Sequence, residues 1–416
     1  MIEAFANMFP IVYRSLIIDA VNYLYLFMPI WLPFFLVYWL WSKWIDYVTT
    51  AFANKQDYKL LEIKLPNEIK KTPLAMELFL NALFQPGGEG TWYDRFVLGK
   101  SRAKFSLEMV SLEGQVKFFI WTRGFWKDLI EAQIYAQYPD VEITEVPNYT
   151  SFVQFDPTVL SMFGGEFKLT KDDFYPIKTY IDYDMESKGV KEEEKIDPIT
   201  PIVEFLGSIG QGQQVWIQIV VKAHKKERRK KLTWGERWEK KAWSDVEDWR
   251  GQSKEEIKKL ILEATKGEDG TTTRMMTKGE GAVIAAIERS VSKLSFDCNI
   301  RAMYLAEKDK FNGINISALM GTLKQFSSNE LNGFKPAKVT AFDYPWQDYK
   351  GIRANKMKKD MFNEYKRRAF SEDYGAFVLN TEELATIYHF PGGVAQTPTF
   401  ERLLSKKAEA PFNLPI

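Results

Sequence analysis

The chain has 416 residues, a formal net charge of +1, 15% aromatic residues and a single Cys. At roughly 150 residues per domain that length allows two or three compact units. The charge balance excludes a globally cationic nucleic-acid binder or an acidic tail protein, so any electrostatic surface must be local. Cys298 alone excludes a disulfide framework and fits a reducing compartment, and 13 Trp exceed what a soluble domain needs.

Residues 1–22 mix apolar clusters with Glu3, Arg14 and Asp19, the pattern of an amphipathic segment at a membrane interface or of an ordinary terminus. Tyr23 to Ser42 then runs without a charge. Twenty helical residues at about 1.5 Å each match a hydrocarbon core of about 30 Å, which predicts a transmembrane helix over 23–44. Pro29 and Pro33 interrupt the pattern, as spanning helices tolerate, and Tyr23 and Tyr25 at one end with Trp39, Trp41 and Trp44 at the other form interfacial belts. Lys43, Lys55, Lys59 and Lys64 follow the span where Arg14 alone precedes it. The bias places the remainder in the cytoplasm, beneath the cytoplasmic membrane, after a single pass.

The first soluble unit, 58–147, opens with a strand over Leu60–Leu65. Thr72-Pro73 starts a helix that Pro86-Gly87-Gly88 ends. Strands Lys104–Leu112 and Gln115–Thr122 meet at Glu113-Gly114, a hairpin signal. A helix over Phe125–Tyr138 and a strand over Val141–Val146 follow. Residues 148–198 form a connector with strands at Glu166–Leu169 and Ile177–Tyr183 and a charged loop at Lys188–Lys195. In the second unit, 199–335, helices over Ile199–Gly207, Gly281–Leu294 and Ile314–Phe326 alternate with strands over Val215–Ala223 and Phe296–Ala306. The fold class expected is α+β, a transmembrane helix followed by two related, ferredoxin-like units, the second carrying a helical insertion over 224–276. Residues 336–416 supply a basic stretch, a short helix at Thr381–Tyr388 and a docking tail from Pro391 to Ile416.

Chemistry is sparse. Gly99-Lys100-Ser101 resembles the end of a phosphate-binding loop, but Asp94 stands where the first glycine belongs and a strand follows instead of a helix. His224 and His389 have no Cys or second His at ligand spacing, and His389 at a helix end is placed to bond the last carbonyls. Cys298 lies in a strand and reads as a buried thiol. No catalytic residue, cofactor or metal site is expected. Local charge says more. Lys222–Lys241 carries ten Lys or Arg against three Glu, interleaved with Trp. Lys225, Lys226, Arg228, Arg229, Lys230, Lys231, Trp234 and Trp238 are therefore candidate contacts to nucleic acid or to anionic lipid, or else belong to a solvated helical hairpin. Lys350–Arg368, with eight cations and two acids, carries the same three readings.

A set of ordered segments resembles a known family. Leu60-Leu61-Glu62-Ile63 precedes Lys71-Thr72-Pro73-Leu74-Ala75-Met76-Glu77, then come Phe105 to Gln115 and Glu131 to Pro139. Pro176-Ile177-Lys178-Thr179-Tyr180, Asp197-Pro198-Ile199 and Gln214 to Ile219 continue the order, which Thr381 to Pro391, Ser405 to Glu409 and Asn413-Leu414-Pro415 complete. The chain is similar over most of 60–416 to the membrane-proximal region of type IV secretion conjugative DNA-transfer proteins of Patescibacteria-type bacteria. In longer relatives a P-loop motor follows the Asn-Leu-Pro segment, so none of the family's nucleotide-binding residues has a position here. The resemblance implies a non-enzymatic, membrane-anchored scaffold for DNA or protein translocation that recruits a separate P-loop ATPase, with the bilayer, DNA and a second copy of the chain as further candidate partners. A membrane-associated nucleic-acid-binding module and a membrane-surface structural protein are the alternatives.

Overall fold

The computed structural model describes residues 11–66, 69, 71–186, 196–225, 228–231, 244–247, 249–265, 275–342, 344–348, 351–370, 376–392 and 402–403. In chain order, helices α1 (Ile11–Leu26) and α2 (Met28–Asn54) lead to β1 (Tyr58–Pro66), α3 (Pro73–Ala82), α4 (Trp92–Phe96), β2 (Lys104–Leu112), β3 (Gln115–Arg123), α5 (Lys127–Gln137) and β4 (Glu142–Val146). Then follow β5 (Leu160–Leu169), α6 (Thr200–Gly207), β6 (Gln213–Ala223), β7 (Arg228–Lys231), β8 (Ser244–Glu247), α7 (Trp249–Thr265) and α8 (Lys278–Ser292). The last elements are β9 (Ser295–Glu307), α9 (Ile314–Gly321), β10 (Phe334–Val339), α10 (Ile352–Lys366), β11 (Phe377–Asn380), α11 (Thr381–Ile387) and β12 (Arg402–Leu403). The chain divides into two compact units, with boundaries after Gln56, Pro86 and Ser101.

The first unit holds α1, α2 and α4. The helix expected across Tyr23–Ser42 is broken: α1 and α2 are bent by 70° across Phe27. Pro29 takes a place in the first turn of α2, where its missing N–H leaves no bond to continue the preceding helix. Among the described residues no single helix is long and apolar enough to cross a membrane, while the bent pair together has the length and composition. The far end of α2 is tied to the α4 segment, where Trp44 Nε1 donates to the Phe96 carbonyl at 2.9 Å and Trp41 packs on the Phe96 ring.

The second unit is built on a ten-stranded sheet in the order β10-β5-β9-β6-β2-β3-β1, with β4 and β12 also on β1 and β11 on β9. All pairs are antiparallel except the short β1–β12 contact. With α4, which belongs to the first unit, and the inserted elements β7, β8, α7 and α8 set aside, each half runs strand, helix, strand, strand, helix, strand: β1-α3-β2-β3-α5-β4 and β5-α6-β6-β9-α9-β10. In both halves the spatial order is fourth, first, third, second, and the two second strands, β2 and β6, pair along nine residues. A two-fold axis through that seam would generate this order. One continuous sheet runs through the segments expected as two separate units, and the second half opens with β5 and closes with β10, outside the elements assigned to it.

Alternate residues of each strand face opposite cores. Phe105, Leu107 and Met109 of β2 meet α3, α5, α6, α9 and α11 in one fully buried cluster. Val110, with Trp216 of β6 and Met303 of β9, faces Met361, Phe362 and Tyr365 of α10 on the opposite side. Covering both faces explains why the central strands read as near-continuous apolar runs.

Two expectations change. Ile177–Tyr183 is a turn, not a strand, because its amides find side chains: Ile177 N bonds Glu383 and Tyr180 N bonds Thr386. The basic insertion, expected to be helical, enters as a two-stranded ribbon of β7 and β8 before α7 begins. Its backbone register sets Arg228 opposite Glu247 and Lys230 opposite Asp245. The charged run 188–195 lies outside the described residues.

The hairpin signal is met. Glu113 and Gly114 have φ of 56° and 93°, the positive pair of a type I′ turn whose twist matches the strands. A Cβ on Gly114 would stand 2.6 Å from the Ile209 carbonyl oxygen. Gly114→Ala is expected to lower unfolding free energy by about 1–3 kcal/mol in denaturant titration, whereas Glu113→Asn, which tolerates positive φ, leaves it near wild type.

Candidate functional site

The sequence-derived contact set is only partly placed. Lys225 is half-buried just beyond β6, and Arg228, Arg229, Lys230 and Lys231 form the backbone of β7. Lys226, Trp234 and Trp238 lie outside the described residues, as does nearly all of the docking tail beyond Gly392, except that Arg402 and Leu403 pair with Leu65 and Pro66. Lys100 is held by Asp94, its Nζ 2.8 Å from the carboxylate, and its amide bonds the Asp94 carbonyl. The residue that departs from a phosphate-loop pattern thus neutralises the lysine that would meet phosphate.

Each of the two histidines lies against an aspartate. His389 Nδ1 faces the Ala385 and Thr386 carbonyls at 3.0 and 3.2 Å, as expected of a residue closing α11, and Nε2 lies 2.9 Å from Asp197. His224 Nδ1 lies 2.7 Å from Asp297, which Arg102 also contacts. Burial pushes Asp197 and Asp297 up, but His389 on the first and His224, Lys222 and Arg102 on the second hold both below the ordinary carboxylate value. Cys298 is fully buried, and that burial raises its thiol well above the usual range, away from thiolate chemistry.

The sheet seam carries a polar cluster that no local motif signals. Glu108 of β2 stands in register with Gln218 of β6. Its carboxylate accepts Arg368 Nε at 2.9 Å and Nη2 at 3.1 Å, with Ser106, Tyr149 and Gln218 completing the shell. Tyr365 O–H reaches Tyr149 O at 2.8 Å. Burial would raise Glu108, yet Arg368 and these donors hold it below its ordinary value, while burial drives Tyr149 and Tyr365 well above theirs. Every oxygen of the carboxylate is engaged, so the cluster offers no free acid or base. Nearby Lys104 is lowered to about 8, chiefly by burial and then by Arg123, Arg301, Lys222 and Arg368, and donates to the Arg368 carbonyl at 3.0 Å.

Arg368 reaches Glu108 by an unusual route. It follows the end of α10 with φ of 46°, Arg368 N bonding the Tyr365 carbonyl and Ala369 N the Glu364 carbonyl. This is a Schellman closure, whose left-handed position usually falls to glycine.

On the other face Glu77, Glu382 and Glu383 gather where the sequence shows no carboxylate grouping. Lys293 lies 2.7 Å from Glu77 and 2.8 Å from Glu382, Arg289 lies 3.2 Å from Glu382, and Tyr180 donates to Glu77 at 2.7 Å. Glu383 accepts the Ile177 and Asn380 amides, and burial, outweighing those bonds, pushes it up to about 8. Among the described residues no group of three His, Cys, Asp or Glu side chains is placed to hold a metal.

The second cationic stretch forms α10, which is amphipathic. Met361, Phe362 and Tyr365 are buried against the sheet, while Arg353, Lys356, Lys359 and Arg367 are exposed. Asp348 starts the helix by accepting the Arg353 and Ala354 amides at 2.8 Å.

Over residues 49–402 the sequence matches the family described as Domain of unknown function (DUF8128). The chain belongs to that family. The matched region runs from β1 to the first residue of β12, takes in the Glu108 cluster and α10, and begins within α2 after the apolar stretch. No curated protein matches the chain.

Two outcomes follow from the buried groups. Arg368→Gly suits the backbone, yet it leaves Glu108 buried without its counter-charge and is expected to cost about 3–5 kcal/mol, with part recovered when Glu108→Gln is added; calorimetry or denaturant titration measures both. Because Glu383 is raised in the folded chain, its stabilisation is full below the unfolded value of 4.5 and is lost as pH rises through about 8. The thermal midpoint should therefore fall between pH 5 and 8, and Glu383→Gln, which keeps an N-terminal cap, should flatten that decline.

Proposed function

We propose that the chain is a membrane-anchored, non-catalytic scaffold of a type IV secretion-like transfer machine, with two ferredoxin-like halves forming a platform that recruits a separate P-loop ATPase. The observation that carries the anchoring is the surface of α2. Phe34, Val37, Tyr38 and Leu40 are each at least 65% exposed, and a helix that leaves so many large apolar groups uncovered on several sides needs a non-aqueous neighbour. Tyr25 and Trp44 near the two ends of the apolar stretch suit the headgroup levels. The bend at Phe27 makes the insertion a broken span or a re-entrant pair.

The non-catalytic part rests on consumption of the polar groups. The Glu108, Glu77–Glu382 and His389–Asp197 sets are closed among themselves, and Lys100 is paired with Asp94. The transfer-machine assignment and the ATPase partner rest on the ordered segments from Leu60 to Pro415.

Full-length protein should float with phosphatidylcholine–phosphatidylglycerol vesicles and resist extraction by alkaline carbonate and high salt. Leu36→Arg with Leu40→Arg adds about 2.5–3.5 kcal/mol per residue at a bilayer centre and should release the protein. Release of the wild-type chain by carbonate or salt overturns the anchor. Intrinsic ATP hydrolysis abolished by Lys100→Ala overturns the non-catalytic reading.

A further inference from the structure

We infer that the exposed face of α10, together with the aromatic pair preceding it, is a docking surface for single-stranded nucleic acid. The proposal holds whether or not α2 enters a bilayer, and its test is independent of that reading.

The first observation is charge. Arg353, Lys356 and Lys359 recur at three-residue spacing, and Arg367 extends the exposed set past the last turn. Neighbours at this spacing lie about 5–6 Å apart on a helix, so they form a row along the side opposite Met361, Phe362 and Tyr365. Among the described residues none of the four has a carboxylate within ion-pair distance: Arg353 donates to the Gln347 carbonyl and Arg367 to the Asn363 carbonyl. Glu364 is turned to Lys338 of β10, leaving Asp360 as the exposed acid of the helix. Lys168 and Lys335 sit opposite one another on β5 and β10, both exposed. Lysines on an edge strand block sheet-to-sheet pairing and need no other reason; a helix has no such edge, so that account leaves the α10 row unexplained.

The second observation is aromatic and independent of the first. Tyr344 and Trp346 stack on each other at 4.5 Å and 11°, yet they stand 51% and 78% exposed. Arg353 joins the two features, since its guanidinium covers Phe342 at 5.2 Å and bonds the Gln347 carbonyl beside Trp346. A cationic track leading from uncovered aromatic rings is the combination that binds single strands, with phosphates meeting the cations and bases stacking on the rings. A duplex keeps its bases stacked internally and offers no face to Trp346. A lipid surface would draw the apolar side of the helix, and in α10 Met361, Phe362 and Tyr365 of that side are spent on the sheet, leaving Ile352 of the first turn exposed.

Full-length protein in an uncharged detergent is titrated into fluorescein-labelled oligothymidylate, the matching duplex, and phosphatidylglycerol vesicles. Single strand should bind more tightly than duplex, with affinity falling linearly against salt on logarithmic axes. Tyr344→Ala with Trp346→Ala should weaken it about tenfold or more, and Lys356→Gln with Lys359→Gln should reduce the salt slope by about 1.4. These positions are exposed, and unchanged thermal midpoints will show that the variants fold. Absence of oligonucleotide binding, wild-type binding by both double variants, preference for vesicles over oligonucleotide, or loss of binding in Arg229→Gln with Lys230→Gln but not in the α10 variants each overturns the proposal.

Discussion

The antiparallel pairing of β2 with β6 is the interaction on which the sheet unit depends. It runs from Lys104↔Lys222 to Leu112↔Gln214 and joins two four-strand sets that would otherwise each expose a long central edge. An unpaired edge of that length is a site for aggregation or for another chain, so the seam removes a liability as well as doubling the core. Once it is closed, β9 and β3 take their places on either side, and the ends of β6 and β9 that flank the insertion meet, His224 N bonding the Ser295 carbonyl.

Everything laid across the seam serves to hold it. On one face apolar helices cover it. On the other, Glu108 and Gln218 meet across the strand boundary, and Arg368 arrives from the end of α10 to neutralise the carboxylate. A fully buried charge is tolerated only when its counter-charge and its hydrogen bonds are both supplied. The docking of α10 is thereby coupled to the sheet it covers, and Met361, Phe362 and Tyr365 are buried in doing so. The helix consequently presents its cations to solvent at fixed positions, in contrast to the same charges on an unanchored segment.

Much of the fold was legible along the chain because it is local. The Glu113-Gly114 turn, the helices at 74–85, 125–138 and 281–294, and the strands on either side of the hairpin lie within a few residues of their expected positions, since each is encoded by turn chemistry or by periodicity over a short window. The closing role of His389 was legible for the same reason. Ile177–Tyr183 misleads because its alternation looks like a strand while its amides are satisfied by Glu383 and Thr386, about two hundred residues away. β5 was seen only as its last four residues: Gly164 and Gly165 interrupt the apolar run. β10 carries Pro336 and a register shift, features that count against a strand unless it lies at an edge, as this one does.

By itself the sequence determined the α+β class, the apolar aromatic stretch near the start and the presence of two cationic stretches within a neutral chain. These follow from composition and from patterns spanning one element. The tertiary structure decided that the two halves form one sheet, that one cationic stretch enters as a ribbon while the other becomes a docked helix, and that Glu108 meets Arg368 and Glu77 meets Lys293. Such pairings depend on which strand edges and helix faces come together across hundreds of residues, and neither the spacing of Glu108 and Arg368 nor the local pattern around them carries that information.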